Sequence, residues 1–124
     1  MVTKKLLIVD DKREIRQLVR ATLEDGWEVA EAETGDAAVE AAARHKPDLV
    51  VMDMMMPGTI DGMEATRRIK SAPETADCKV IMLSGSDIEL REAALEAGVV
   101  EFIQKPFSPL DLMDKIGTLF GDKA

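Results

Sequence analysis

The chain has no Tyr, one Trp, one His and one Cys, and its 16 basic residues face 24 acidic ones. Each shortage narrows the options. A lone thiol, Cys78, cannot close an intramolecular disulfide and points to a reducing compartment. A formal charge of −8 without clustered Lys and Arg argues against a nucleic-acid surface, because phosphate backbones are held by basic patches. No basic amphipathic stretch suits an anionic membrane, and no run approaches the roughly 18 apolar residues of a membrane span. The apolar stretch after Met1-Val2-Thr3-Lys4-Lys5 ends at Asp10 and Asp11, too early for a secretory leader, so a cytoplasmic location is expected. Low-complexity tracts, linkers and internal repeats are also missing.

What remains is a composition of 46% hydrophobic and 32% charged residues over 124 positions, enough for one domain with a proper core. Strand-like and helix-like patterns alternate along it. Lys5 to Asp10 reads as the first strand. Ile15, Leu18, Val19, Thr22 and Leu23 form a helical stripe over Lys12 to Asp25, with Gly26 placed to cap it. Trp27 to Glu31 alternates as an edge strand would, and an Ala-rich helix from Gly35 to about His45 is stopped by Pro47. A strand from Asp48 to Asp53 leads into the loop Pro57-Gly58-Thr59-Ile60. Asp61-Gly62-Met63-Glu64 has capping-box spacing and opens a helix to about Ser71, before Pro73. After a strand at Lys79 to Leu83, Ser86-Asp87-Ile88-Glu89 is a second capping box, for a helix ending at Gly98. Val99 to Gln104 is the fifth strand. Ser108-Pro109-Leu110-Asp111 then starts a last helix that ends near Phe120. Such βα units predict an α/β fold, a doubly wound five-stranded parallel sheet with helices on both faces. Only Gly121-Asp122-Lys123-Ala124 follows, so residues 1–124 are expected to be a single domain without an output domain, although a trimmed piece of a larger protein would look the same.

Polar residues close the apolar runs: Asp10-Asp11, Asp53, Ser84-Gly85 and Lys105-Pro106. In an open parallel sheet, chemistry gathers beyond the carboxyl ends of the strands. Singly, each has an ordinary explanation. Asp11 with Glu14 could cap the first helix, Asp53 and Ser84 could form turns, and Lys105 could be solvated at an edge. Together they place three carboxylates, a hydroxyl and an amine on one rim. Like charges a few ångströms apart oppose one another's ionisation, so such a cluster calls for a cation. Hard oxygen donors in an open site favour Mg²⁺, which keeps free positions suited to a phosphoryl group.

Ile8-Val9-Asp10-Asp11, Val51-Met52-Asp53-Met54-Met55-Met56-Pro57, Asp61-Gly62, Leu83-Ser84-Gly85 and Lys105-Pro106-Phe107 resemble the receiver domain of two-component response regulators, of the stand-alone chemotaxis-regulator type. The likeness runs from about residue 4 to 120 in the right order. It implies a flavodoxin-like strand order 2-1-3-4-5. Asp53 would accept a phosphoryl group from a histidine kinase or histidine phosphotransfer protein, and a downstream protein would read the altered surface. The chain would then be a signalling phosphoacceptor rather than an enzyme, taking part in its own phosphoryl transfer and dephosphorylation. Mg²⁺ would be bound by Asp11 directly, by Asp10 mainly through water, and by Asp53 and the Met55 carbonyl. Lys105 would pair with Asp53 and then with a phosphoryl oxygen. Ser84 would donate its hydroxyl and, with Phe102 at the aromatic switch position, relay the change. The Lys105–Pro106 bond would be cis. The phosphodonor would dock on Lys12, Arg13, Ile15 and Arg16 with Pro106 and Phe107.

Some features depart from that pattern. Gly58-Thr59-Ile60 lengthens the loop before Asp61-Gly62 by one residue relative to the usual family spacing, and Ser and Phe stand at 84 and 102 where Thr and Tyr are common. Met52, Met54, Met55, Met56 and Met63 read as adaptable packing, the Ala run of the second helix as close helix–sheet approach, His45 as a surface residue and Trp27 as an edge anchor. Other functions fit less well. A flavin carrier would need a phosphate-binding loop where Asp10-Asp11-Lys12-Arg13 stands, and an aspartyl phosphatase would need an acid at Met55. A phosphate-independent adaptor retaining the fold is the remaining alternative.

Overall fold

The computed structural model describes residues 4–23, 26–56, 58–85 and 88–120. Strands β1 (Lys4–Val9), β2 (Trp27–Ala32), β3 (Leu49–Asp53), β4 (Lys79–Ser84) and β5 (Glu101–Gln104) alternate with helices α1 (Arg13–Thr22), α2 (Gly35–His45), α3 (Gly62–Ser71), α4 (Arg91–Ala97) and α5 (Pro109–Phe120). The strands form one parallel sheet in the order β2-β1-β3-β4-β5.

Helices cover both faces, which is why the central strands are apolar throughout rather than alternating. Leu7, Val9, Val50, Met52, Val80 and Met82 point to one side and meet Ala38, Ala41 and Ala42 of α2, Ala65 and Ile69 of α3, and Ala94 of α4. Leu6, Ile8, Leu49, Val51, Ile81 and Leu83 point to the other and meet Val19 of α1 and Leu112 and Ile116 of α5. Met52, Met54 and Met63 are buried in the first of these cores, as packing side chains, while Met55 is exposed. Trp27 stacks edge-on against Phe120 at 5.5 Å between ring centroids, tying the edge strand to the last helix.

The starts of α2, α3 and α5 carry side-chain caps. Thr34, Asp61 and Ser108 accept side-chain bonds from the amides of Ala37, Glu64 and Asp111, satisfying N–H groups that a first turn leaves free. Three ends differ from the sequence reading. α1 stops at Thr22 rather than Asp25, because Leu23 turns extended and packs on the core beneath α1 and α5; Gly26, at φ 101°, belongs to the turn into β2 and is not the helix cap. Residues 24–25 of the expected helix lie outside the described residues. Ser86 and Asp87 of the second capping box also lie outside them, and a 3₁₀ turn, Ile88–Leu90, precedes α4. β5 begins at Glu101, since Gly98 is left-handed and the Val99 amide still bonds to Ala94 of α4. Among the described residues no helix is long and apolar enough to cross a membrane.

Candidate functional site

Parallel strands carry their carboxyl ends to one rim, and the register fixes which residues meet there. Val9 pairs with Met52, so Asp10 and Asp53, the next residues on the two central strands, lie side by side. One carboxylate oxygen each from Asp10, Asp11 and Asp53 falls within a 4.8 Å cluster; Asp10 and Asp53 are buried and Asp11 is exposed. Lys105, on the loop after β5, reaches back with Nζ at 3.1 Å from Asp53 Oδ1 and 3.2 Å from Asp10 Oδ2. The Lys105–Pro106 bond is cis.

One bonded ammonium, Lys105, and a loose Lys12–Asp11 pair at 3.8 Å leave the three carboxylates short of positive charge. Burial, and then the charge of Asp10, raise the Asp53 pKa above its ordinary value despite the Lys105 bond and the favourable Met55 amide. Burial alone would lower the Lys105 pKa, but its bond to Asp53 and the two carboxylate charges outweigh that and raise it. The two upward shifts do not conflict. Lys105 has two anions to itself, whereas Asp53 shares one ammonium with a buried like charge. An all-oxygen donor set with surplus negative charge suits a hard divalent cation.

Asp11 does not cap α1. The N-cap position is Lys12, with no side-chain bond, and its amide donates to Asp10 Oδ1 at 2.9 Å. The Asp11 carboxylate is therefore not spent on the helix, and Asp10 keeps Oδ2 turned to Lys105. Ser84 and Phe102 stand apart from this cluster. The Ser84 hydroxyl is fully buried and its polar neighbour is Met54 Sδ at 3.9 Å, and Phe102 is packed inward in the core on the α2–α4 side. Met55 follows Asp53 closely on the loop leaving β3, side chain outward.

Among the residues expected to form a docking face, Lys12, Arg13 and Pro106 are exposed. Arg16 is not on that face. It is 8% exposed and bonded to the Asp10 carbonyl and to Glu31, because this position lies on the inward stripe of α1, one turn before Val19. Ile15 is half-buried against the α1–α5 core.

Gly62 has a structural role that its motif alone does not reveal. Its amide donates to the Met54 carbonyl at 2.9 Å, and a Cβ there would strike the Asp53 carbonyl oxygen and come within 2.9 Å of Met54 Cα. Only a glycine lets α3 start this close to the end of β3. Gly62→Ala should destabilise the fold by about 1–3 kcal/mol in urea titrations and displace the end of β3. An unchanged unfolding midpoint would show that the contact relaxes freely. In the loop before Asp61, Ile60 is buried, with Gly35 so near that a Cβ would lie 2.6 Å from the Ile60 carbonyl oxygen.

A doubly wound five-stranded sheet with an acid pair, a central aspartate and a lysine on one rim defines a class of phosphate-signalling domain. The model for the response regulator receiver domain matches residues 6–117. The phosphate regulon transcriptional regulatory protein PhoB of Pseudomonas aeruginosa is 41% identical over 118 residues, which is 94% of this chain and 51% of that protein. The chemotaxis protein CheY of Halobacterium salinarum is 40% identical over 116 residues, covering 93% of this chain and 95% of CheY. A crystal structure of a putative response regulator from Chloroflexus aurantiacus superposes with a TM-score of 0.87 at 30% identity, covering 96% of this chain and 98% of that one. The chain belongs to the response regulator receiver domain family. It spans about half the length of several curated relatives, PhoB and the Bacillus subtilis regulator ResD among them.

Proposed function

We propose that this domain accepts a phosphoryl group on Asp53 from a phosphohistidine of a kinase or phosphotransfer protein, with Mg²⁺ bound, and thereby switches a protein-binding surface. The observation that carries this is the shared cluster of Asp10, Asp11, Asp53 and Lys105 at the strand tips. An Asp53 oxygen attacks phosphorus, the P–N bond to the donor imidazole breaks, and an acyl phosphate forms on Asp53. Transfer of this kind depends on positioning and on neutralising the equatorial oxygens. Lys105 supplies one cation for that purpose by shifting from Asp53 to a phosphoryl oxygen. Asp11, Asp53, the Met55 carbonyl and, through water, Asp10 would hold Mg²⁺, which supplies the remaining positive charge when bound. Ser84 would turn from Met54 toward the phosphoryl group, with Phe102 following it. Hydrolysis of the acyl phosphate by water would reset the domain. Lys12, Arg13, Pro106 and Phe107 offer the donor a face beside the site, and the location consistent with such a partner is the cytoplasm.

The test is incubation with a small phosphodonor such as acetyl phosphate, with and without Mg²⁺, followed by peptide mapping. Label should appear on the peptide holding Asp53 and fall to background when EDTA is added. Label on another residue, or labelling indifferent to Mg²⁺, would overturn the proposal.

A further inference from the structure

Beside the acidic rim lies a buried charge that phosphoryl transfer does not use. Arg16 is the only buried basic side chain among the described residues. Its Nη1 donates to the Asp10 carbonyl at 2.8 Å, its Nε donates to Glu31 Oε1 at 2.7 Å, and Nη2 lies 3.6 Å from Glu33 Oε2. Arg20 grips the other Glu31 oxygen with Nε at 3.1 Å and Nη2 at 2.7 Å. Bonds from Arg16 and then Arg20 lower the Glu31 pKa, so Glu31 is a charged, anchored post for the Arg16 guanidinium.

Through Arg16 every polar atom of Asp10 is occupied. The amide donates to Ala32 O, the carbonyl accepts from Arg16, Oδ1 accepts from the Lys12 amide and Oδ2 from Lys105. Asp11 is different. It is exposed, and among the described residues its side chain has only a loose ion pair with Lys12 Nζ at 3.8 Å. The direction in which Asp11 projects therefore follows the Asp10–Asp11 peptide, whose oxygen Arg16 holds.

We propose that Arg16 is a positioning residue for the metal site: braced by Glu31, it clamps the Asp10 carbonyl, fixes the peptide that aims Asp11, and so strengthens divalent-cation binding. This rests on the metal-binding reading above. The sign of the effect separates positioning from electrostatics. A positive charge beside the site repels a cation, so charge alone would make Arg16→Met bind the ion more tightly and leave Arg16→Lys unchanged. The clamp needs a planar fork that serves Glu31 and the carbonyl together, which a single ammonium cannot reproduce.

Mg²⁺ binding should be measured by isothermal titration calorimetry without any phosphodonor, on the wild-type chain and on Arg16→Lys, Arg16→Met and Glu31→Asp. Unfolding curves would establish that each variant is folded. Loss of a partner that orients a ligand commonly weakens metal affinity about 10- to 100-fold. Arg16→Lys and Arg16→Met should both bind Mg²⁺ about tenfold more weakly, and Glu31→Asp should shift the same way. The last keeps the charge and shortens the brace, so it and Arg16→Lys decide the matter if Arg16→Met does not fold. Wild-type affinity in Arg16→Lys, or tighter binding in Arg16→Met, overturns the clamp and leaves the metal site standing. Absence of Mg²⁺ binding by the wild-type protein overturns both.

Discussion

Asp53→Asn is expected to take up no label from a phosphodonor, and in metal-free solution to unfold at a higher temperature than the wild-type chain. The loss of label follows from the nucleophile, since an amide does not attack phosphorus and among the described residues no other carboxylate is bonded to Lys105 except Asp10. The gain in stability follows from linkage. The folded-state pKa of Asp53 is raised above 3.8, by burial first and by the Asp10 charge second. An acid shifted upward prefers its protonated form in the fold, so its ionisation costs stability. That cost is absent well below pH 3.8, where both states are protonated, grows as pH rises from 3.8 toward the folded-state value, and is complete above it. A neutral amide of the same shape avoids it. The two melting curves should therefore coincide in acid and separate as pH rises. Saturating Mg²⁺ should narrow the gap, because ligand binding to the native state stabilises the wild-type site. A variant that melts lower than wild type at neutral pH would show that the Asp53–Lys105 bond outweighs burial and Asp10.

Lys105→Met should have the opposite sign. It deletes the cation that lies within 3.2 Å of both buried carboxylates. Removing one partner of a buried ion pair leaves an uncompensated charge and costs about 3–5 kcal/mol. Lys105 keeps a fifth of its side chain exposed, so the lower end, about 3 kcal/mol, is expected in chemical unfolding without metal. Two variants of one ion pair then move stability in opposite directions, which neither lost packing nor a generic active-site effect would produce. Mg²⁺ should recover part of the loss by supplying positive charge to the same oxygens. A Lys105→Met protein as stable as wild type without metal would mean that Asp10 and Asp53 are neutralised by another route.

The site divides by the range of the interactions that build it. Asp10, Asp11, Asp53 and Lys105 were legible because each follows a strand-like apolar run, and parallel strands deliver their carboxyl ends to one rim. Ser84 also ends such a run, but its hydroxyl faces Met54 rather than the acids, a matter of rotamer that no pattern along the chain records. Arg16 was misplaced for a related reason. Beside Lys12, Arg13 and Ile15 it is expected on the docking face, and only Glu31 on β2 together with the Asp10 carbonyl explains its burial. Glu31 lies fifteen residues away, across α1 and the turn into β2.

By itself the sequence determined the strands, most helix starts, the doubly wound class and the identity of the clustered acids and lysine, since these depend on local periodicity, caps and the order of elements. Only the tertiary structure decided the brace from Glu31 through Arg16 to Asp10, the backbone approach that demands Gly62, and the inward packing of Phe102. Those depend on strand register and helix docking, where the energies come from contacts between residues distant along the chain, and a periodic pattern carries no record of which distant residue will be met.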